Sequence, residues 1–174
     1  MAAGFDLARA RRDTPATDVL IHLNNAGAAL PPHQVVETVK DYLDFEERTG
    51  GYEAAAIRAV ELEAVYKDLA AFLGAGPEEI ALVDSATRAW NMALEAAVHA
   101  FSIGEGSRVL TGVAEYSSNH IALVQHARRY GFELEVIPDD EYGQISLEAL
   151  ANRLDSDVGL IALTHIPTNG GLIN

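Results

Sequence analysis

Hydrophobic residues recur with a helical period in the first part of this 174-residue chain. From His33, the stretch HQVVETVKDYLDFEERTG carries apolar residues every three or four positions and stops at the glycine pair that begins at Gly50. A second stretch, AAAIRAVELEAVYKDLAAFLGAG, has the same character and stops at Gly74. This spacing predicts amphipathic helices, and glycine is typical of a helix end. We therefore expect a helical segment over residues 36–76, preceded by an N-terminal arm and loop over residues 1–35.

Short apolar runs alternate with helical patterns over residues 77–174. The runs EIALVDS, SRVLTGVAEY, FELEVIPDD and VGLIALTHI are predicted to be strands, and an earlier run, VLIHL, is predicted to be a strand leading into a loop. Helices are expected from about Thr87 to Phe101, in SSNHIALVQHARRYG, and in SLEALANRL, where Ser146 is the expected N-cap. Such alternation indicates βαβ units and a mainly parallel sheet flanked by helices, which is an α/β fold. The last run is continuously apolar, which predicts a strand covered on both faces.

Composition and charge limit the classes of function. Apolar residues make up 49% and charged residues 22% of the chain, which is typical of a globular protein. The net charge of −14 argues against nucleic acid or an anionic membrane surface as a partner. The chain has no cysteine, which excludes disulfides, cysteine–zinc sites and a cysteine nucleophile in these residues, and we predict no metal site. The first residues lack the apolar stretch of a secretory signal, so the cytoplasm is the expected compartment.

The turn DSATRA follows the EIALVDS run and opens the helix that is expected near Thr87. The amides of Ala86, Thr87 and Arg88 at this helix N-terminus, together with the helix dipole, are expected to form a site for an anion. Ser85 and Ala86 are small enough to let a phosphate approach, and Thr87 adds a hydroxyl. The alternative is a plain N-cap supplied by Asp84 or Ser85, which is a common structure.

Other turns carry further candidate residues. In AEYSSNH, Tyr116 is placed to stack on a planar ligand or to pack at the sheet edge. In THIPTNGG, Thr168 and Asn169 are placed to hydrogen-bond a ligand, or belong to a turn built from Pro, Asn and Gly. The turn NNAGAALPP lets a substrate approach, or only turns the chain tightly. RTGGYEA is predicted to be a glycine-rich active-site or subunit-contact loop, or a simple helix stop.

Together, GGYEA, SATRAWNMAL, EYSSN and HIPTNGG resemble the N-terminal half of class V aminotransferase-like enzymes. These are pyridoxal-phosphate (PLP) proteins of fold type I, a group that includes cysteine desulfurases and C–S lyases. The resemblance extends over nearly the whole chain and looks closest to desulfurase-like members that include the ergothioneine-forming C–S lyases. It implies that residues 77–174 are the first part of a fold type I large domain, which binds PLP.

Carried over by position, the resemblance implies roles for individual residues. Ala86 and Thr87 match residues that bind the cofactor phosphate through backbone N–H and hydroxyl groups. Tyr116 matches an aromatic residue that stacks on the pyridine ring; desulfurases often have histidine there, and a phenol is the poorer proton carrier at neutral pH. Thr168 or Asn169 matches an asparagine near the phenolic oxygen of the cofactor. A further set is expected to border the substrate carboxylate: Asn25, Ala26, Gly27 and Ala28.

The lysine with which such enzymes form a Schiff base to the cofactor has no match in this chain. The two lysines are Lys40 and Lys67, which lie in the two predicted amphipathic helices. In the relatives, that lysine, an acidic partner of the pyridinium and a substrate-binding arginine follow the HIPTNGG segment. We therefore expect this chain to contain no catalytic residue and to be inactive alone, as a fragment of a longer enzyme.

Two classes of function remain open. The first is a PLP-dependent enzyme that acts on an amino acid or thio-amino acid with C–S lyase, desulfurase or aminotransferase chemistry, and that works as a homodimer. The second is a non-catalytic α/β module that binds an interaction partner or some other phosphorylated ligand.

Overall fold

The computed structural model describes residues 4–25, 27–168 and 171–174, which divide into two compact units, Met1–Ala81 and Leu82–Asn174. The first unit is helical. Its α-helices are α1 (Leu7–Asp13), α2 (His33–Thr49), α3 (Gly51–Ile57) and α4 (Ala59–Leu73), and it has 3-10 turns at Pro15–Asp18 and Pro77–Glu79. None of the helices in the described ranges is both long enough and apolar enough to cross a bilayer.

The two helical predictions for the first unit are confirmed in outline and corrected in one place. Helix α2 begins after Pro32 and ends at Gly50, as expected. The GGYEA stretch is not a loop, because α3 starts directly after Gly50. Gly50 adopts a φ of 92°, a conformation that glycine takes without strain, and it is the single residue that separates α2 from α3. The second predicted helix is therefore two helices, α3 and α4, which meet at Arg58.

Two runs that were expected to be strands lie outside any sheet in the described ranges. Residues 20–23 belong to no helix or strand, and the side chains of Ile21 and Leu23 are exposed. Residues 80–83 are likewise outside the sheet. Both strand predictions are wrong because a strand needs a neighbour for its backbone N–H and C=O groups, and an apolar run does not by itself supply that neighbour.

The second unit is a three-stranded parallel sheet flanked by helices, which confirms the predicted α/β class. The strand order is β2-β1-β3, and the register pairs Val109 with Leu134 on one side of β1 and Leu110 with Ile161 on the other. The elements in chain order are α5 (Ala86–Ala100), β1 (Arg108–Gly112), α6 (Ser117–Tyr130), β2 (Glu133–Ile137), α7 (Leu147–Ala151) and β3 (Val158–Ala162).

The core of the second unit lies on both faces of β1. Val109 packs with Leu94 of α5 and Leu123 of α6 in one cluster. Leu110, whose side chain points to the opposite face, packs with Ile137 and the loop and helix around α7 in a second cluster. Strand β1 is thus the buried centre of the unit, and its carboxyl end is held in place by packing on both sides.

Strand β3 departs from its prediction, because it is not covered on both faces by the described residues. Its side chains alternate between partly buried and exposed, and Ile161 is 41% exposed. An apolar cavity of about 620 Å³ runs between β3 and α5, with Trp90 and Leu160 among its lining residues. The apolar run was correctly assigned to a strand, but β3 is an outer strand of this sheet and not a central one.

A polar cluster of Glu95 on α5 and His126 and Tyr130 on α6 joins the two helices. The Tyr130 hydroxyl donates to Glu95 Oε1 at 2.5 Å, and His126 Nε2 lies 2.8 Å from Glu95 Oε2. The hydrogen bond from Tyr130 is the main cause that lowers the pKa of Glu95 below its ordinary value of 4.5. The same bond raises the pKa of Tyr130 above its ordinary value of 10.0. The folded state therefore favours the ionised glutamate and the protonated phenol.

These pKa shifts predict that the Glu95–Tyr130 hydrogen bond stabilises the fold near neutral pH and that this stabilisation is lost in acid and in base. The lowered pKa of Glu95 gives stability that is lost as pH falls through its folded-state value, and the raised pKa of Tyr130 gives stability that is lost as pH rises through its own. Tyr130→Phe is expected to destabilise the protein most near neutral pH and less at both extremes. Urea unfolding as a function of pH measures this, with the exposed Tyr142→Phe as the control. If Tyr130→Phe lowered the free energy of unfolding by the same amount at every pH, the hydrogen bond between Tyr130 and Glu95 would not be the cause of these pKa shifts.

Candidate functional site

The candidate site lies at the carboxyl ends of β1 and β3, where parallel sheets place their ligands. The β1 loop, residues 113–116, leads from β1 into α6, and the β3 loop, residues 163–168, follows β3. A cavity of about 470 Å³ is lined by residues of both loops, including Tyr116 and Thr168. This volume is within the range of roughly 300–1,000 Å³ that is typical of small-molecule sites. The structure thus brings two of the sequence-predicted residues to one cavity.

Tyr116 and Thr168 present accessible groups to this cavity. The Tyr116 side chain is 50% exposed, so it is not packed away at the sheet edge. Thr168 is exposed, and the buried Pro167 beside it also lines the cavity. Asn169, the alternative to Thr168, lies outside the described residues. A half-exposed aromatic ring at a cavity can stack on a flat ligand, which is the property that the stacking hypothesis requires.

The N-terminus of α5 is both capped and partly open. Ser85 Oγ accepts a hydrogen bond from the Arg88 amide at 3.3 Å, so this amide, which was expected to be one of three anion donors, serves the N-cap instead. The amides of Ala86 and Thr87 make no hydrogen bond within the part of the chain that the structure describes. First-turn amides of a helix are the donors that bind anions. Capping and anion binding are therefore compatible here, since they use different amides.

A side-chain hydrogen bond joins the N-termini of α5 and α6. The Thr87 hydroxyl lies 3.2 Å from Ser118 Oγ, to which it donates. Ser118 is in the first turn of α6, two residues after Tyr116. The residues that line the cavity include Ser117 but not Ala86 or Thr87, so the link from the α5 N-terminus to the cavity is the hydrogen bond to Ser118. Two helix N-termini side by side direct two positive dipole ends to one region.

Glu115 belongs to this site, and the sequence reasoning missed it. Its Oε1 atom accepts hydrogen bonds from the Tyr116 amide at 2.9 Å, from Asn119 Nδ2 at 2.9 Å and from the Thr164 hydroxyl at 2.6 Å. Its Oε2 atom is buried and has no hydrogen-bond partner among the described residues. The sequence carried one signal: a Glu four residues before an Asn across a helix start, which allows the two side chains to meet.

The predicted substrate-side turn lies in the first unit. The Gly27 amide donates to the Asn24 side chain at 3.2 Å, and His22 Nε2 lies 2.7 Å from the Ala28 carbonyl oxygen. Asn25 and Ala28 are exposed, and Ala26 lies outside the described residues. The geometry is that of a tight turn, as the simpler interpretation expected, and the substrate role of Asn25, Ala26, Gly27 and Ala28 stays a prediction.

Both lysines also lie in the first unit. Lys40 is on α2, where its Nζ atom lies 3.0 Å from Glu37 Oε1, and Lys67 is on α4. No lysine follows Lys67 in the sequence. Within the described ranges, no group of three or more His, Asp or Glu side chains is arranged to hold a metal ion.

The comparison with protein families decides the membership of the chain. The family model described as Aminotransferase class-V matches residues 21–174. The chain belongs to the class V aminotransferase family. This confirms the resemblance that was drawn from the turn motifs.

Curated relatives of this class V chain carry desulfurase names. It is 26% identical to the probable cysteine desulfurase of Halobacterium salinarum, over 94% of this chain and 40% of that protein. It is 28% identical to the cysteine desulfurase of Pectobacterium atrosepticum, over 98% of this chain and 44% of that protein. The chain therefore spans less than half the length of the curated relatives it matches.

Solved structures share the fold of this class V chain. The apo structure of a cysteine desulfurase from Thermococcus onnurineus NA1 matches with a TM-score of 0.83 and 24% identity, over 99% of this chain and 43% of that one. A cystine C–S lyase in complex with its reaction product cysteine persulfide matches with a TM-score of 0.78 and 19% identity, over 92% of this chain and 42% of that one. At these identities the likeness shows the fold, and it confirms the predicted fold type I architecture.

Proposed function

We propose that this chain supplies the phosphate-binding and ring-stacking part of a PLP-dependent enzyme that acts on an amino acid or thio-amino acid. Cysteine desulfurase or C–S lyase chemistry is the preferred reaction class, with aminotransferase chemistry as the wider family alternative. The observation that carries the proposal is the Thr87–Ser118 hydrogen bond, which holds the open N-terminus of α5 next to the loop that presents Tyr116. Family membership and the desulfurase names of the relatives support the same assignment.

The residues present fit the cofactor. The free amides of Ala86 and Thr87, with the Thr87 hydroxyl, suit a phosphate dianion at a helix N-terminus. The half-exposed Tyr116 ring suits the face of a pyridine, and Thr168 lines the same cavity. When bound, the cofactor would supply a pyridine ring that withdraws electrons from the amino acid substrate. This chain's own contribution is to anchor the phosphate and to orient that ring.

A second candidate function is binding of a phosphorylated ligand without catalysis. The observation that favours it is the open N-terminus of α5, because the amides of Ala86 and Thr87, which have no partner among the described residues, suit any phosphate group. For the whole protein we also propose a homodimer, action in the cytoplasm and no nucleic-acid or membrane partner. The family resemblance supports the homodimer, and the net charge of −14 supports the absence of a nucleic-acid or membrane partner.

Tyr116→Ala is expected to weaken PLP binding by roughly ten- to a hundredfold, because stacking on an aromatic ring is worth about 1–3 kcal/mol. Tyr116→Phe keeps the ring and is expected to bind as the unchanged chain does. Equilibrium dialysis of PLP against each variant measures the affinity, with the exposed Tyr142→Ala as the control. Equal binding by the Tyr116→Ala variant would contradict the proposed stacking.

Borohydride treatment of the same samples tests the placement of the Schiff-base lysine outside this chain, and a comparison of PLP with inorganic phosphate separates the two candidate functions. If the chain only anchors PLP, no reduced cofactor is attached after treatment, and mass spectrometry shows the unmodified mass. A reduced adduct on Lys40 or Lys67 that forms at stoichiometric PLP would contradict the placement of the Schiff-base lysine outside this chain. A chain that binds inorganic phosphate but not PLP would favour the second candidate.

A further inference from the structure

Glu115 connects three separate segments of the second unit through a single oxygen atom. Its Oε1 atom accepts hydrogen bonds from the next residue in the β1 loop, Tyr116, from the first turn of α6 at Asn119, and from the β3 loop at Thr164. The Thr164 bond spans 49 residues of sequence and is 2.6 Å long. Because one oxygen atom accepts all three hydrogen bonds, the three segments are held at fixed positions relative to each other.

The restraint falls directly on the backbone of Tyr116. Its amide is held by the carboxylate of the residue before it, and Asn119, one helical turn later, is held by the same oxygen. Tyr116 is the N-cap residue of α6, with φ −62° and ψ 133°, and no side chain caps the helix there. Fixing the amide and the first turn together fixes the direction in which the Tyr116 side chain leaves the backbone.

The β3 loop is restrained at the same point. Thr164 donates to Glu115 with its hydroxyl, and its carbonyl oxygen accepts a hydrogen bond from Asn174 Nδ2 at 2.8 Å. The Asn174 amide donates to the His165 carbonyl oxygen at 2.8 Å. The segment that leads to Thr168 is therefore anchored on one side by Glu115 and on the other by Asn174.

We propose that Glu115 is a positioning residue that sets the Tyr116 ring and the β3 loop at the separation that a flat ligand needs. This inference rests on the proposed function for the identity of the ligand. Glu115 itself lines the cavity, and the effect on the ligand is assigned to Tyr116 and Thr164, which are hydrogen-bonded to it. A role limited to stabilising the fold would lower the affinity for every ligand of the site together, whereas a positioning role lowers only the affinity that depends on the ring.

Two ligands distinguish these roles. Inorganic phosphate requires the N-terminus of α5, and PLP requires in addition the Tyr116 ring. Glu115→Ala is expected to weaken PLP binding roughly tenfold while phosphate binding changes by less than about twofold, because the misplaced ring loses stacking and the α5 amides are unchanged. Calorimetric titration of the full chain with each ligand measures the two affinities, and Glu141→Ala, which removes an exposed carboxylate, is the control.

Glu115→Gln tests the geometry within the same experiment. Glutamine keeps one oxygen that can accept from Tyr116, Asn119 and Thr164, so the ratio of PLP to phosphate affinity is expected to return to that of the unchanged chain. Its NH₂ group would occupy the position of Oε2, which has no partner among the described residues, and a lower thermal midpoint is therefore expected. A glutamine variant with the same selective PLP loss as the alanine variant would overturn the proposal.

Amide hydrogen exchange provides a measurement without any ligand. Glu115→Ala is expected to speed exchange at the Tyr116 amide roughly tenfold, while amides in the middle of α6 keep their protection. Unchanged exchange at Tyr116, or an equal loss of PLP and phosphate affinity, would overturn the positioning role. A chain that binds neither ligand would contradict the proposed function, and the exchange result at Tyr116 would still decide the role of Glu115.

Discussion

Thr87→Asp is expected to abolish anion binding at the candidate site without destabilising α5. A second negative charge near a phosphate repels it, and two like charges about 4 Å apart at an effective dielectric near 20 interact by about 4 kcal/mol, which corresponds to a loss of well over 100-fold. The same substitution places an acidic side chain in the first turn of a 15-residue helix. That position favours negative charge by about 0.3–1 kcal/mol, so the helix is expected to keep or gain stability.

Because Thr87→Asp is expected to remove anion binding while the stability of α5 is kept or increased, a loss of binding cannot be explained by unfolding of the helix. Titration with inorganic phosphate and with PLP measures binding, and urea unfolding measures stability. Thr87→Ser keeps the hydroxyl and is the matched control, expected to bind both ligands normally. The aspartate can still accept a hydrogen bond from Ser118, so the link between α5 and α6 is preserved in the variant. Phosphate binding that survives in Thr87→Asp would show that the α5 N-terminus is not the anion site.

Leu123→Ala is expected to have the largest effect on stability, at about 2–5 kcal/mol, because it leaves a cavity in a closely packed core. Leu123 is 0% exposed and packs in the cluster formed by α5, α6 and β1. Ile121 lies on the same helix and is 55% exposed, so Ile121→Ala should change the free energy of unfolding by only about 0.5 kcal/mol. Urea unfolding of both variants measures the difference.

The outcome tests the assignment of α6 as a core helix. If the two alanine variants were equally stable, Leu123 would not lie in a packed interior. If Ile121→Ala were the more destabilised of the two, the face of α6 that carries Ile121, and not the face that carries Leu123, would pack on the sheet. The result also bears on the site, because the N-terminus of α6 carries Tyr116 and is positioned by the packing of the helix behind it.

The second unit could be predicted well because its signals are local. Helix α6 ends at Gly131, which adopts a φ of 82°, and α7 begins at Ser146, whose hydroxyl accepts from the Ala149 amide at 3.1 Å. Glycine at a helix end and serine at a helix start are read directly from the sequence. The alternation of such helices with apolar runs was sufficient for the α/β class and for the parallel sheet.

Features that depend on distant neighbours could not be predicted. The runs at residues 20–23 and 80–83 have the composition of strands, but strand pairing is decided by another segment of chain. The glycine pair before Tyr52 signals a stop, and only the backbone shows that a new helix starts at once. Glu115 has the same character, because Thr164, one of its donors, is 49 residues away in sequence. Tyr116 and Thr168 could be placed at one site because both follow predicted strands of a parallel sheet, and the family resemblance then gave each of them a role.

The outer position of β3 has a consequence for how this chain behaves in solution. In the described residues, β3 pairs with β1 alone, and its other edge carries backbone groups that are free to join a further strand. The cavity between β3 and α5, which Trp90 lines, is apolar. A segment of another molecule that bound there would gain backbone hydrogen bonds to β3 and would bury apolar surface. Self-association is therefore expected to increase with protein concentration. Light scattering over a dilution series measures the average molar mass and shows the concentration below which the chain is monomeric.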